Sequence, residues 1–90
     1  MDAIISQVAL AFGVTVTDLT GPDRTSHIVW ARQAAAHILR VRVPGASVLA
    51  IGRALGNRDH STILYALKAV PKRRQASPNY DQILRTLEGL

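Results

Sequence analysis

One short segment, Gly56-Asn57-Arg58-Asp59-His60-Ser61-Thr62, constrains this chain most: a Gly/Asn turn followed at once by small polar side chains, set between two stretches of helical periodicity. Upstream, Ser47-Val48-Leu49-Ala50-Ile51-Gly52-Arg53-Ala54-Leu55 reads as a helix that ends at Gly56. Downstream, Ile63, Ala66, Leu67 and Val70 recur at i, i+3, i+4 and i+7 and form a stripe to be buried. Ser61, Tyr65, Lys68 and Lys72 fall at i, i+4, i+7 and i+11 on a different face, which leaves them free to meet a ligand. Helix, short glycine turn and helix together predict a helix-turn-helix over about residues 47–70.

The rest of the chain is also helical in pattern. Ile5, Val8, Ala9 and Phe12 make a first amphipathic helix stopped at Gly13, and Val14, Val16 and Leu19 supply apolar contacts through a short turn or a single helical turn that ends at Gly21-Pro22. A long, alanine-rich helix is expected from about Ser26 to Arg42, with Ile28, Ala31, Ala35, Ile38 and Leu39 inward and Pro44-Gly45 closing it. Lys72-Arg73-Arg74-Gln75-Ala76 reads as a link to a last helix capped by Ser77, with Pro78 at its first position and Tyr80, Ile83, Leu84 and Leu87 as its stripe. The Val41–Val43 alternation is too short for a strand. The expected fold is therefore all-α, about five to six helices in a single domain over residues 1–90.

Ninety residues without cysteine leave stability to aliphatic packing and exclude thiol chemistry and zinc-finger ligation. No apolar run approaches a membrane span and no secretory leader opens the chain, so a cytoplasmic location without a membrane partner is expected. Charge is uneven. From Arg24 to Arg74 there are ten cations and a single acid, Asp59, a net +9 within a chain of net +5. Such a belt suits a polyanion, and nine of the eleven cations being arginine favours bidentate contacts with phosphate and guanine over mere solubility.

Asp59, His60, Ser61 and Thr62 stand at the N-terminal end of the second helix, the end that approaches base edges in helix-turn-helix docking. An acid there suits a cytosine or adenine amino donor, or serves as an N-cap; the two roles can coexist. Although Asp59-His60-Ser61 contains the letters of a hydrolase triad, consecutive helical residues point about 100° apart and cannot form the relay, so no catalysis is expected. His27, His37 and His60 lack metal-ligand spacing, and neither cofactor nor small-molecule substrate is implied. Trp30, one residue off the inward stripe, reads either as half-buried filler or as an anchor for a protein partner.

The run Ile51-Gly52-x-x-Leu55-Gly56-x-Arg58-Asp59-His60-Ser61-Thr62-Ile63-Leu64, with Phe12-Gly13-Val14, Asp18-Leu19 and Ala31-Arg32-Gln33, resembles the C-terminal, DNA-box-binding domain of the bacterial replication initiator DnaA, of the TrpR-like helix-turn-helix superfamily. The resemblance covers Ile4 to Leu87. It implies a minor-groove contact by Arg24, backbone contacts by Arg32, Gln33 and Arg40, and base contacts by Arg58, Asp59, His60, Ser61 and Thr62, with Tyr65 and Lys68 on the same exposed face. This chain departs from the pattern in three ways. Its loop before the long helix carries one arginine beside Asp23 where the family has several cations, Ser61 replaces a common threonine methyl, and no Walker-type phosphate loop is present, as expected of an excised domain or a small stand-alone relative. Two functions follow: a reader of box-like duplex DNA in replication initiation or its regulation, or an adaptor that binds an initiator-regulating protein through the same fold. Retention of Arg24, Arg32, Arg58, Asp59 and His60 together favours the reader.

Overall fold

The computed structural model describes all of residues 1–90, as six helices and no strand: α1 (Asp2–Phe12), α2 (Val16–Thr20), α3 (Ser26–Arg42), α4 (Val48–Ala54), α5 (His60–Ala76) and α6 (Pro78–Glu88). Helix α3 is the hub and packs against each of the other five. Its composition explains this. Ala31, Ala34, Ala35 and Ala36 are all fully buried, and side chains of one carbon let several neighbours approach at once. Leu19, Ile38, Leu39, Ile51, Leu55, Ile63, Val70 and Leu84 fill the space around them. Ile28, placed inward by periodicity, is only half-buried because it lies in the first turn of α3.

Local signals set most boundaries. Gly13 closes α1 in the left-handed conformation, and Thr15 and Asp18 form a reciprocal capping box at α2, with both hydrogen bonds 3.0 Å long. Ser47 caps α4 by accepting from the Ala50 N–H at 3.0 Å. The helix-turn-helix pair is thus α4 and α5, although α5 runs further than the expected boundary.

The expected link at Lys72–Ala76 is instead the last part of α5, which continues through Pro71 to Ala76. A proline inside a helix costs about 3 kcal/mol, so packing must oppose it. Val70 is fully buried, and Arg73 and Arg74 lie on the side of the helix that faces the protein. Arg74 donates to Asp81 at 2.6 Å and to both Glu88 oxygens at 2.8 and 3.1 Å, bracing α5 against α6. The connection shrinks to Ser77, which ends α5 and caps α6 through the Tyr80 N–H.

His37 of α3 joins this brace, its Nε2 standing 2.7 Å from Glu88 Oε2. Arg74 first, then His37, holds the Glu88 carboxyl down from 4.5 to about 2. A carboxylate with a depressed folded pKa contributes stability that is complete above the unfolded value and is lost as pH falls through the folded one. Glu88→Gln should therefore unfold at lower urea than the parent at pH 7, and the gap should close between pH 4.5 and pH 2. An equal gap at both ends of that range would contradict the brace.

Candidate nucleic-acid interface

The turn between α4 and α5 is built from two residues with positive φ, Gly56 at 89° and Asn57 at 58°. Glycine is required at Gly56 twice over, because a Cβ there would also overlap the Thr20 carbonyl at the end of α2. Gly52 meets a similar limit: its carbonyl accepts from the Arg58 N–H at 2.8 Å, and a Cβ would overlap the Arg58 carbonyl. The turn is thereby pressed against α4 on one side and α2 on the other.

Two arginines lock that arrangement. Arg32, only 9% exposed, donates from Nε to the Leu19 carbonyl at 2.8 Å and from Nη2 to the carbonyls of Asp18, Gly21 and Asp23 at 2.8, 3.1 and 2.9 Å. Arg58 donates from Nη1 to the Leu55 carbonyl at 2.8 Å and from Nη2 to the same Gly21 carbonyl. Helix C-termini leave carbonyls without partners and carry partial negative charge. Arg32 satisfies those of α2, and Arg58 ties the end of α4 to the segment after α2. The acceptors are carbonyls, so neither guanidinium forms an ion pair, although Asp23 and Asp18 lie near enough to Arg32 to offset part of its charge. Burial lowers the pKa of both guanidinium groups, and repulsion lowers it further, from Arg58 on Arg32 and from Arg24 on Arg58. Three cations in a row, Arg24 repelling Arg58 and Arg58 repelling Arg32, form a site that favours an anion.

Asp23, the acid beside Arg24, is engaged elsewhere. Its Oδ1 accepts from the Thr25 N–H at 2.8 Å, and hydrogen bonds from Thr25 hold its carboxyl below the usual range. Arg24 itself is exposed and makes no hydrogen bond within the protein. Between the loop, α3 and α5 lies a cleft of about 580 Å³ lined by Arg24, Arg32, Gln33, Arg58, Thr62 and Tyr65. Six residues singled out from sequence therefore meet on one surface.

At the mouth of α5, Asp59 is the N-cap: its Oδ2 accepts from the Ser61 N–H at 3.1 Å and from the Ser61 hydroxyl. Those bonds, the hydroxyl first, hold its carboxyl below the ordinary range. Capping and reading remain compatible, because Oδ1 accepts nothing. His60, Ser61 and Thr62 are exposed in the first turn. Tyr65 and Lys68 are exposed further along α5, whereas Arg40, near the end of α3, is exposed but lines no part of the cleft.

Gln33 is 8% exposed and accepts on Oε1 from Arg73 Nη2 at 2.9 Å. A guanidinium has donors only, so Arg73 fixes the amide with oxygen towards itself and leaves Nε2 to donate elsewhere. Arg73, expected in a link, instead lies inside α5 and holds this amide. Continuing the buried stripe Ile63, Ala66, Val70 by three or four residues leads to Arg73 and Arg74 and would have found both. Arg73 also stacks 4.5 Å from the Trp30 ring centre, and the Tyr80 hydroxyl donates to the Trp30 carbonyl at 2.9 Å, so Trp30, though 43% exposed, is braced from two sides.

The fold and its turn define a helix-turn-helix protein. More specifically, the chain belongs to the bacterial DnaA protein helix-turn-helix family, whose sequence model matches residues 1–70. It is similar to the chromosomal replication initiator protein DnaA of Thermus thermophilus, at 38% identity over 93% of this chain and 19% of that protein. It is also similar to the DnaA of Nostoc punctiforme, at 34% over 96% of this chain and 18% of the relative. A crystal structure of a DNA replication initiation factor superposes with a TM-score of 0.80 at 28% identity, covering 97% of this chain and 26% of that one. The chain spans about a fifth of the length of the curated relatives it matches.

Arg32 and Arg24 should separate by stability. Charge-assisted hydrogen bonds contribute about 1.5–3 kcal/mol each, so Arg32→Ala should lose at least ~2 kcal/mol in urea unfolding, whereas exposed Arg24→Ala should stay within ~0.5 kcal/mol of the parent. Equal stabilities would contradict the structural role of Arg32.

Proposed function

We propose that these six helices form one DNA-binding unit that recognises DnaA-box-like duplex sites in replication initiation or its regulation. The observation that carries the reading is the junction of the exposed first turn of α5 with an arginine cleft that holds no carboxylate. In this reading α5 enters the major groove, where His60, Ser61 and Thr62 meet base edges and Asp59 Oδ1 accepts from a cytosine or adenine amino group. Arg24, free at the loop, reaches the adjacent minor groove. Gln33 Nε2, Arg40, Lys68 and the remaining Arg32 nitrogen, Nη1, serve phosphates. Arg58 holds the reading helix in register and adds charge beside the bases.

No step of this requires catalysis, a cofactor or a nucleotide, and the role fits a protein of the bacterial cytoplasm held on the nucleoid. No helix is long and apolar enough to cross a membrane. The chain would occupy sites that a full-length initiator also uses. The adaptor alternative has less support, since the ring of Trp30, its best anchor, is already stacked by Arg73.

A fluorescence-anisotropy titration of box and scrambled duplexes tests the reading. The chain should prefer the box, equally with and without ATP, and His60→Ala should cost about 1–3 kcal/mol on the box while hardly changing scrambled binding. Equal affinities of the parent for both duplexes would reject sequence-specific recognition.

A further inference from the structure

A second groove, of about 570 Å³, lies between α3 and the C-terminal half of α5 and is bordered by Trp30, Tyr65, Lys68, Lys72, Arg73 and Ser77. No acid lines it. Lys68 and Lys72 are exposed and form no ion pair. Arg73 is held between the Trp30 and Tyr80 rings, its guanidinium carbon 4.5 and 5.9 Å from their centres, and it makes a single hydrogen bond, to Gln33. Its Nε is buried without an acceptor. The neighbouring residue has the opposite environment. Arg74 is paired with Asp81 and Glu88, and Arg85 and His37 bond to the same two acids. One flank of α5 is therefore neutralised and the other, facing the groove, keeps three cations without a carboxylate.

Position gives these cations a common target. Helical rise is 1.5 Å per residue, which puts Lys68 about 10 Å and Lys72 about 16 Å beyond Ser61 along α5. The major groove is about 12 Å wide and 8.5 Å deep. With the first turn of α5 at the base edges, the two lysines stand at or beyond the rim, level with sugar-phosphate backbone. Tyr65 lines both the arginine cleft and this groove, so the two surfaces are continuous.

We propose that this groove is a second phosphate-binding surface that takes the backbone of the same duplex outside the recognised box, with Lys72 and Arg73 as its principal ligands. The inference rests on the DNA-binding reading and extends it: bases are read at one end of α5, and flanking backbone is gripped at the other. Trp30 positions Arg73 by stacking, so an approaching phosphate meets a guanidinium already held in place.

The test compares a duplex trimmed to the box with one extended by about one helical turn, ~10 base pairs, on each side. The variant is Lys72→Gln, an exposed change that leaves Arg73, Gln33 and the first turn of α5 intact. Affinities are measured across a salt series. On the extended duplex the parent should show the steeper salt dependence, and Lys72→Gln should reduce the slope of log K against log salt by about 0.9, the value of one phosphate contact. On the trimmed duplex parent and variant should coincide, and the preference for box over scrambled sequence should not change. Emission from Trp30, the sole tryptophan, should change with the extended duplex more than with the trimmed one. Identical slopes for parent and Lys72→Gln on the extended duplex would overturn the proposal and leave the groove to an acidic protein segment. Equal parent affinity for box and scrambled duplexes would remove the sequence-specific reading and with it the register that defines the flank, whereas a lower slope for Lys72→Gln on the extended duplex would still place Lys72 on phosphate. No duplex binding by the parent would overturn both.

Discussion

The carbonyl of Gly21 accepts from two guanidinium groups, Arg32 on the long central helix and Arg58 at the turn, and the geometry of the site depends on that shared acceptor. It joins three segments that are far apart in sequence: the end of α2, the middle of α3 and the entrance to α5. Four carbonyls around Arg32 and two around Arg58 absorb donors that would otherwise be costly to bury. With carbonyls as acceptors the fold retains positive charge at the surface, whereas carboxylates would have cancelled it. A single arrangement thus fixes the loop that carries Arg24 and supplies the field that draws a polyanion.

Much of this was legible in the sequence because it is written locally. The span of α3, Ser26–Arg42, follows from its alanine-rich periodicity and the Pro44-Gly45 stop, and Ser77-Pro78 marks the start of α6. The start of α5 was equally plain, from the Gly56-Asn57 turn and Asp59. The path of α5 through Pro71 was not. Local propensity argues for a break there, and the forces that oppose it, Val70 burial and the Arg74 pairs with Asp81 and Glu88, involve residues brought together only by folding.

The same limit applies to side-chain roles. The family resemblance gives Arg32 a contact with the DNA backbone, but its packing role could not be read: its acceptors within the fold are backbone carbonyls 9 to 14 residues earlier, and no side-chain pattern announces a carbonyl. Asp59 was legible both as a cap and as a reader, and the capping bonds to Ser61 leave one oxygen for the second role. Arg73 was hidden by the misplaced link, although it sets the amide of Gln33 and stacks on Trp30. Family resemblance points to the surface; the packing decides which arginines build it and which remain free to touch a ligand.

The central claim is that the Arg24 loop and the first turn of α5 act as one surface on duplex DNA. Amide chemical-shift mapping by NMR during titration with a box duplex tests it most directly. The largest shifts should fall together, over the same range of DNA concentration, on Arg24, Thr25 and His60 to Tyr65, with α1 and α6 nearly silent. Shifts concentrated on α1 and α6, with the first turn of α5 unmoved, would contradict the account.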